Sequence, residues 1–177
     1  MATTETNWIA EVGAPAFSSI AEMVAALNCN FDRLNELRDE RTDWVDNVDG
    51  DADEQARTAA DWSAAFPAES AELAELETAA GDCADMDDAQ QRITEDPLSI
   101  RIFGERVDGE WEVSSAEILL TTGGPAVLLM VELDEDAEAC RAWLKVQDWG
   151  KPWTDYCPGA DSGEILLAYA RQFCFSA

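Results

Sequence analysis

The stretch from residue 126 to residue 147, AVLLMVELDEDAEACRAWLKVQ, decides the fold of this chain. Its first eight residues are almost continuously apolar and predict a strand. An acidic loop follows, and beyond it apolar and polar residues alternate, as in a strand with one buried face. The apolar series is Cys140, Ala142, Leu144 and Val146, and the polar series is Arg141, Trp143, Lys145 and Gln147. The stretch therefore predicts two strands of an antiparallel sheet.

Two more strand patterns precede this stretch, and a helical pattern follows it. The strands are Leu98–Val107 and Trp111–Thr122, joined at Asp108-Gly109, and the helix runs from Gly163 to about Phe173. Asp-Gly between two such runs is typical of a hairpin. Gly123-Gly124-Pro125 predicts a tight turn and not a phosphate-binding loop, because no Lys-Ser/Thr pair follows it. Residues 97–177 are therefore predicted to form a four-stranded antiparallel sheet packed by a C-terminal helix.

The first half of the chain predicts helices only. Residues 1–16 are polar or small and predict a flexible arm. The predicted helices are Ser18 or Ser19 to Leu27, Asn28 or Asn30 to Val48, Ala52–Phe66, Pro67–Ala80 and Met86–Thr94. Residues 17–96 are thus predicted to be a helical region, and the whole chain to be an α+β protein that changes character near Asp96.

Composition excludes several classes of function. The chain has 177 residues, 38 of them acidic and 11 basic, and a net charge of −27. Such a chain offers no exposed basic groove for nucleic acid. It has no histidine, so Ser-His-Asp and Cys-His catalysis and His-containing zinc sites are excluded. No catalytic residue, metal or cofactor is predicted. Five scattered cysteines, among which Cys157 is the candidate for a reactive thiol, indicate reduced thiols in a cytosol.

The N-terminus has neither the basic region nor the apolar region of a signal peptide. The longest apolar run, from Pro125 to Val131, is too short to cross a bilayer. We therefore expect a cytoplasmic protein without a membrane partner.

Acidic residues are concentrated in the helical region, and one helix carries them at a regular spacing. In the segment NFDRLNELRDERTDWVDNVDGDADE (residues 30–54) five of them recur at steps of four and three: Asp32, Glu36, Asp39, Asp43 and Asp46. On a helix these steps keep all five carboxylates on one face, about 5–6 Å from one to the next. The predicted binding residues also include Asp49, Asp51 and Asp53 at the following turn, and Glu72 and Glu75 on the fourth helix. An EF-hand does not fit this turn, because Gly50 at position 6 would put Val45 at position 1 and Ala56 at position 12.

Three interpretations of this charge remain open at the level of sequence. The carboxylates can take the place of nucleic-acid phosphates in a basic groove, since phosphates recur about every 7 Å along a DNA strand. They can be an ordinary solvated surface, or the surface of a halophilic protein, which has many acids and few lysines. Residues 1–96 hold 24 acidic and 5 basic residues (net −19), whereas residues 97–177 hold 14 and 6 (net −8). Because salt adaptation should affect both halves, this asymmetry favours a directed electrostatic role.

The segment DWGKPWTDYCP (residues 148–158) predicts an irregular aromatic loop. Trp149 and Trp153 are its candidate binding residues, and with Trp143 and Tyr156 they are predicted either to form an apolar binding surface or to close one end of the sheet as a small core. The neighbouring cations Arg141, Lys145 and Lys151 are expected to pair with the acidic loop Asp134–Glu138.

Four segments of the second half resemble a family of small acidic proteins of bacteriophages, prophages and mobile elements. They are EDPLSIRI (95–102), LLTTGGPAVLLMVEL (119–133), LKVQDWGKPWTDY (144–156) and EILLAYARQFCF (164–175). The resemblance covers about 95–175 and leaves out the more acidic half. The family has no assigned activity, so the resemblance implies a context only: a phage accessory protein in a bacterial cytoplasm.

The leading hypothesis is therefore a phage-encoded, non-enzymatic inhibitor of the anti-CRISPR or anti-restriction kind, whose carboxylates occupy the basic nucleic-acid-binding groove of a host defence complex. The second hypothesis is a protein-interaction module that uses the aromatic loop, with the charge serving solubility. The third is a small enzyme that uses carboxylates, which requires Asp or Glu side chains that are buried and have a raised pKa.

Overall fold

The structure, a computed structural model, describes residues 5–46 and 58–176. In these residues the chain forms five helices, then five strands and then a sixth helix. The helices are α1 (Glu5–Leu27), α2 (Phe31–Asp46), α3 (Ala59–Ala65), α4 (Pro67–Ala80), α5 (Met86–Glu95) and α6 (Ser162–Ala170). The strands are β1 (Ser99–Val107), β2 (Glu110–Thr121), β3 (Ala126–Leu133), β4 (Ala139–Gln147) and β5 (Thr154–Tyr156). The predicted α+β class is confirmed.

The strands form one antiparallel sheet in the order β1-β2-β3-β4-β5, so each strand pairs with its neighbour in sequence. One row of directly opposed residues crosses all five strands and consists of Ile100, Ile118, Leu129, Leu144 and Tyr156. Because side chains alternate between the two faces of a sheet, this row and the rows two residues away define one face. Ile118, Leu129 and Leu144 in its centre are fully buried. This is the covered face of the sheet.

Two helices contribute to the covering layer. Helix α6 packs on β4 and β3 and buries Leu166 and Tyr169. The hydroxyl of Tyr169 donates a hydrogen bond of 2.7 Å to Oδ2 of Asp96, which holds α6 to the segment before β1. Helix α1 approaches the sheet at Gly13, where a Cβ atom would lie 2.3 Å from Cδ1 of the Tyr156 ring. Only glycine permits this contact, so the position is fixed by packing.

Residues Ala25–Ala89 form a separate compact unit, the helical unit, whereas Met1–Val24 and Gln90–Ala177 form the sheet unit. The helical unit has its own apolar core of buried residues: Ala26, Cys29, Phe31, Leu34, Leu37, Trp62, Leu73, Ala80, Cys83 and Ala89. The rings of Trp44 and Phe66 meet edge to face at 6.0 Å beside this core. Thr58 and Asp61 cap α3 reciprocally, since each side chain accepts a hydrogen bond from the other residue's backbone N–H.

Three expectations about the elements are corrected by the structure. The flexible arm predicted over residues 1–16 is helical from Glu5 onward, and Pro15 lies inside α1. A proline removes one helical hydrogen bond, but tertiary contacts of α1, including the one at Gly13, hold the helix together across it. The sheet has a fifth strand in place of part of the predicted loop. The boundary predicted near Asp96 is replaced by two crossings of the chain between units, at Val24 and Ala89.

In the described part of the chain, one segment, Trp8–Leu27, is long and apolar enough to span a membrane by length and composition. Such a segment is weak evidence for a span, because core helices of soluble proteins pass the same test. Ile20 and Met23 of this segment are buried within the protein, and Gly13 contacts the sheet. The segment therefore packs in part against the rest of the protein.

The row of residues across the covered face predicts a clear contrast between two identical substitutions. Leu129→Ala removes a fully buried side chain and should lower the free energy of unfolding by about 2–5 kcal/mol. Leu98→Ala, at a side chain that is 57% exposed, should change it by no more than about 0.5 kcal/mol. Urea unfolding followed by tryptophan fluorescence measures both. Equal effects would show that the covered face is not the core of the sheet unit.

Candidate protein-binding surfaces

Helix α2 has two opposite sides with different chemistry. Phe31, Leu34 and Leu37 are buried in the helical unit. All five carboxylates of the predicted stripe, Asp32, Glu36, Asp39, Asp43 and Asp46, are exposed. With 3.6 residues per turn, they fall on the side opposite the buried residues. We call these five residues the acidic face of α2.

The three arginines of α2 all contact α4, and Arg33 also contacts Glu36 and Glu40 on its own helix. Arg33 binds Glu72 through two parallel contacts, Nε to Oε1 at 3.1 Å and Nη2 to Oε2 at 3.0 Å. Arg38 Nε and Arg41 Nη2 approach the same oxygen of Glu77 at 3.5 and 3.8 Å. These contacts join α2 to α4 at the rim of their shared core, and they use every cation that α2 carries.

The arginine contacts divide the predicted binding residues into two groups. Glu36 accepts a hydrogen bond of 3.3 Å from Arg33, and Glu72 is its bidentate partner, so these two carboxylates are partly neutralised. Glu75 is exposed on α4. The other four carboxylates of the acidic face form no ion pair with any residue in the described ranges: Asp32, Asp39, Asp43 and Asp46. Asp49, Asp51 and Asp53 lie outside the described residues.

Unpaired carboxylates at this spacing repel one another. A like-charge pair three or four residues apart on a helix costs about 0.2–0.5 kcal/mol. Exposed charges are also screened over about 8–10 Å at physiological salt, so the cost stays modest. A cationic surface placed against the acidic face would remove this repulsion and add attraction. The chemistry of the face therefore suits a basic partner.

The aromatic loop does not form the small core that was one of its two predicted roles. Trp149 is 78% exposed and Trp153 is 38% exposed. Tyr156 lies on the covered face opposite Leu144, whereas Trp143 lies opposite Met130 on the other face. Tyr156 and Trp143 thus lie on opposite sides of the sheet, because β5 pairs with β4 and side chains alternate along both strands.

The cations near this loop also have partners other than those expected. Directly opposed residues of neighbouring strands pair across the uncovered face: Arg101 with Glu117, Arg141 with Glu132 and Lys145 with Asp155. Lys151 pairs with Asp148 at 3.8 Å and its Nζ lies 4.2 Å from the centre of the Trp8 ring. The predicted pairing with the loop Asp134–Glu138 is therefore wrong, because cross-strand neighbours are closer than a loop at the far end of β4.

A groove of about 410 Å³ crosses the uncovered face of the sheet. Its apolar floor is formed by Leu119, Leu128 and Met130, and Trp153 stands at one side. The ion pair of Arg101 with Glu117 and the side chain of Lys145 line it as well, so the groove is close to neutral. Its volume lies within the range of small-ligand sites, about 300–1,000 Å³, although it is open and half polar.

The structure supplies no observation in favour of a carboxylate enzyme. In the described ranges no Asp or Glu side chain is buried, and no group of three or more Cys, Asp or Glu is arranged to hold a metal ion. Hydrogen bonds lower the pKa of Asp61 and of Glu72, the opposite of what a general acid needs. Cys157 is exposed and its thiol contacts the backbone oxygen of Gly159.

Comparisons of the chain with protein-family models, with curated proteins and with solved structures find no match. The resemblance of residues 95–175 to phage accessory proteins accordingly stays a prediction.

The sequence did not lead us to predict that the arginines of α2 pair with α4 beside this surface. Their spacing contains the signal, because Arg38 and Arg41 each follow a buried leucine, Leu34 or Leu37, by four residues. They must therefore flank the apolar stripe and reach along it. The partners on α4 carry no such signal, because the pairing depends on how the two helices pack.

The contact between Arg33 and Glu72 predicts a pH-dependent stability. The guanidinium holds the pKa of Glu72 below its ordinary value, so the pair stabilises the fold above that ordinary value and is lost as the pH falls through the lowered one. Glu72→Gln should therefore lower the thermal midpoint at pH 7, and the difference from wild type should disappear in acid. Circular dichroism melts between pH 7 and pH 3 measure this.

Glu75→Gln is the matched control, since Glu75 is exposed on the same helix and forms no ion pair in the described ranges. Removing one negative charge there should leave the midpoint unchanged or raise it slightly. If Glu72→Gln behaves as Glu75→Gln does at pH 7, the bidentate contact contributes nothing to stability.

Proposed function

We propose that this protein is a non-enzymatic inhibitor, encoded by a bacteriophage or prophage, that acts in the host bacterial cytoplasm. Its acidic face occupies the basic groove with which a host defence complex of the CRISPR or restriction type holds nucleic acid. The protein itself binds neither nucleic acid nor membrane. It uses no cofactor.

The observation that carries the proposal is the separation of charge on α2. Arg38 and Arg41 turn to Glu77 of α4, and Arg33 contacts Glu72 of α4 as well as Glu36 and Glu40 of its own helix. Four carboxylates of the acidic face form no ion pair in the described ranges: Asp32, Asp39, Asp43 and Asp46. A helix surface that served solubility alone would gain stability from outward ion pairs at i, i+4. On α2 only Arg33 contacts carboxylates of its own helix, and the rest of the acidic face stays negative.

The spacing of these carboxylates suits a groove built for phosphates. Steps of three, four and seven residues advance about 4.5, 6 and 10.5 Å along a helix, which brackets the distance of about 7 Å between successive phosphates of a strand. Lys and Arg side chains in such a groove are long and flexible and adjust to small differences in spacing. Attraction between the two surfaces would also accelerate their association at low salt.

The distribution of charge distinguishes this role from general salt adaptation. The helical unit, Ala25–Ala89, carries 19 acidic and 4 basic residues, which gives it a net charge of −15. On the uncovered face of the sheet, by contrast, three cross-strand pairs balance acid with base. The sheet unit, with 19 acidic and 7 basic residues, has a net charge of −12 over 112 residues, so it is also acidic but carries about half the charge per residue of the helical unit. General salt adaptation should charge both units to a similar density.

The test neutralises the four unpaired carboxylates together, as Asp32→Asn, Asp39→Asn, Asp43→Asn and Asp46→Asn. Strains that each carry one nucleic-acid-targeting defence system are infected with a sensitive phage while the protein is expressed. Wild type should restore plaque formation in at least one strain, and the fourfold variant should fail to do so. With the responsive complex purified, displacement of labelled DNA should weaken at least about tenfold in the variant, which corresponds to about 1.4 kcal/mol.

A matched control removes the same amount of charge elsewhere, as Asp108→Asn, Glu135→Gln, Asp136→Asn and Glu164→Gln on exposed positions of the sheet unit. The control should act as wild type does, and displacement by wild type should weaken as salt rises. Equal losses in both fourfold variants, or displacement that does not depend on salt, would contradict mimicry by the acidic face.

A second function is favoured by one observation on the sheet unit. Trp149 is 78% exposed beside Gly150, and Trp153 forms a side of the groove on the uncovered face. Large exposed tryptophans are frequent anchors of protein interfaces. In this alternative the protein is an interaction module that binds an apolar segment of its partner through this loop.

The two functions make opposite predictions for the same binding assay. Trp149→Ala combined with Trp153→Ala should leave an inhibitor that acts through α2 within about twofold of wild type, since neither side chain belongs to the acidic face. The same double variant should lose at least about a hundredfold in affinity if the loop is the anchor, because such residues contribute about 2 kcal/mol or more each. The fourfold Asn variant of α2 then retains full binding.

A further inference from the structure

Strand β1 is an edge of the sheet with a free hydrogen-bonding side. It pairs only with β2 in the described sheet. The N–H of Leu98, just before β1, donates to the carbonyl of Leu119 on β2 at 2.8 Å. Because N–H groups of a strand alternate between its two sides, about every second N–H of β1 points away from β2. Such an edge is a template for another strand.

The side chains of this edge are more apolar and more exposed than those of a protected edge strand. Ile100, Ile102, Phe103 and Val107 are between 37% and 41% exposed. The strand has no proline and no lysine, the residues that commonly prevent edge-to-edge pairing. An edge of nine residues, Ser99–Val107, with four exposed apolar side chains is therefore available to a partner.

The sequence of β1 is complementary to itself. In an antiparallel pair about a two-fold axis at Phe103, residues whose numbers differ equally from 103 lie opposite each other. Arg101 of each copy then faces Glu105 of the other, and the two Phe103 rings meet at the centre. Opposite charges and aromatic pairs directly across an antiparallel pair each stabilise it. We infer that β1 is a dimerisation strand that joins two copies of this chain into one continuous sheet.

The irregularity between β1 and β2 preserves this pattern. Phe103 lies opposite Ser115 and Gly104 opposite Val113, so the extra residue, Ser114, belongs to β2. Strand β1 itself stays regular, and Arg101, Phe103 and Glu105 share one face. At Gly104 a Cβ atom would lie 2.2 Å from the backbone oxygen of Glu112, which fixes glycine at the position where β1 follows the bulge.

Charge favours this edge as the place where two copies can meet. Each chain carries a net charge of −27, so two copies repel over most of their surfaces. Strand β1 holds two arginines and one glutamate and is among the few segments where base exceeds acid. Salt screens the general repulsion, so dimerisation should strengthen as salt rises. This dependence is opposite to that of binding through the acidic face, and the inference does not rest on the proposed function.

Two charge reversals test both the strand and its register. Glu105→Arg places like charges opposite each other twice in the dimer, whereas within the chain it relieves the pairing of Glu105 with Glu112. Its thermal midpoint should therefore equal or exceed that of wild type, while its dimer dissociation constant rises at least about tenfold. Arg101→Glu should also be monomeric. A mixture of the two variants should form a heterodimer, since both contacts become attractive again.

Sedimentation velocity between low and high salt measures these species, with Glu164→Arg on α6 as the control for a change of the same charge. The control should dimerise as wild type does or more strongly. The inference is overturned if wild type stays monomeric up to about 1 mM, which corresponds to about −4.1 kcal/mol. It is equally overturned if Glu105→Arg dimerises as well as the control, or if the two reversed chains do not pair.

Discussion

The ion pairs that Arg33, Arg38 and Arg41 form with α4 set the charge of the rest of the surface. The chain has 11 basic residues for 38 acidic ones. An arginine that pairs at the rim of the core is therefore not available to neutralise carboxylates elsewhere on the surface. The three arginines of α2 lie at the rim of the helical core, where they pair with Glu72 and Glu77 of α4. Of the five carboxylates on the acidic face, only Glu36 is paired within the helix, by Arg33, and the packing of α2 on α4 engages the remaining arginine contacts.

The sheet unit distributes its few cations in another way. Arg101, Arg141 and Lys145 each bind the carboxylate directly across on the next strand, so the uncovered face is nearly neutral around an apolar floor. The same unit carries its exposed tryptophan and its free edge strand. The chain thus has surfaces of two characters, an acidic one on the helical unit and a nearly neutral, partly apolar one on the uncovered face of the sheet.

Local signals in the sequence predict the elements that depend on local structure. Helix α4 has the predicted bounds, because Pro67 opens it and Gly81 closes it, and β3 has them because turns flank a continuous apolar run. The first half of α1, up to Pro15, was predicted to be a flexible arm, because its contact with Tyr156 is made far away in sequence and leaves no local signal. Strand β5 has only three residues and exists through its pairing with β4. The acidic face follows from helical periodicity alone, whereas its separation from the arginines depends on tertiary packing.

The most direct test of a free acidic face is nuclear magnetic resonance with a cationic probe, an oligoarginine peptide titrated into the labelled protein. The account predicts shifts of the backbone amides around Asp32, Asp39, Asp43 and Asp46, at lower peptide concentration than anywhere else in the described ranges, and their loss at high salt. Shifts that are equally large at the acidic loop Asp134–Glu138, or strongest there, would contradict it. The charge of α2 would then be no more than part of a uniformly acidic surface.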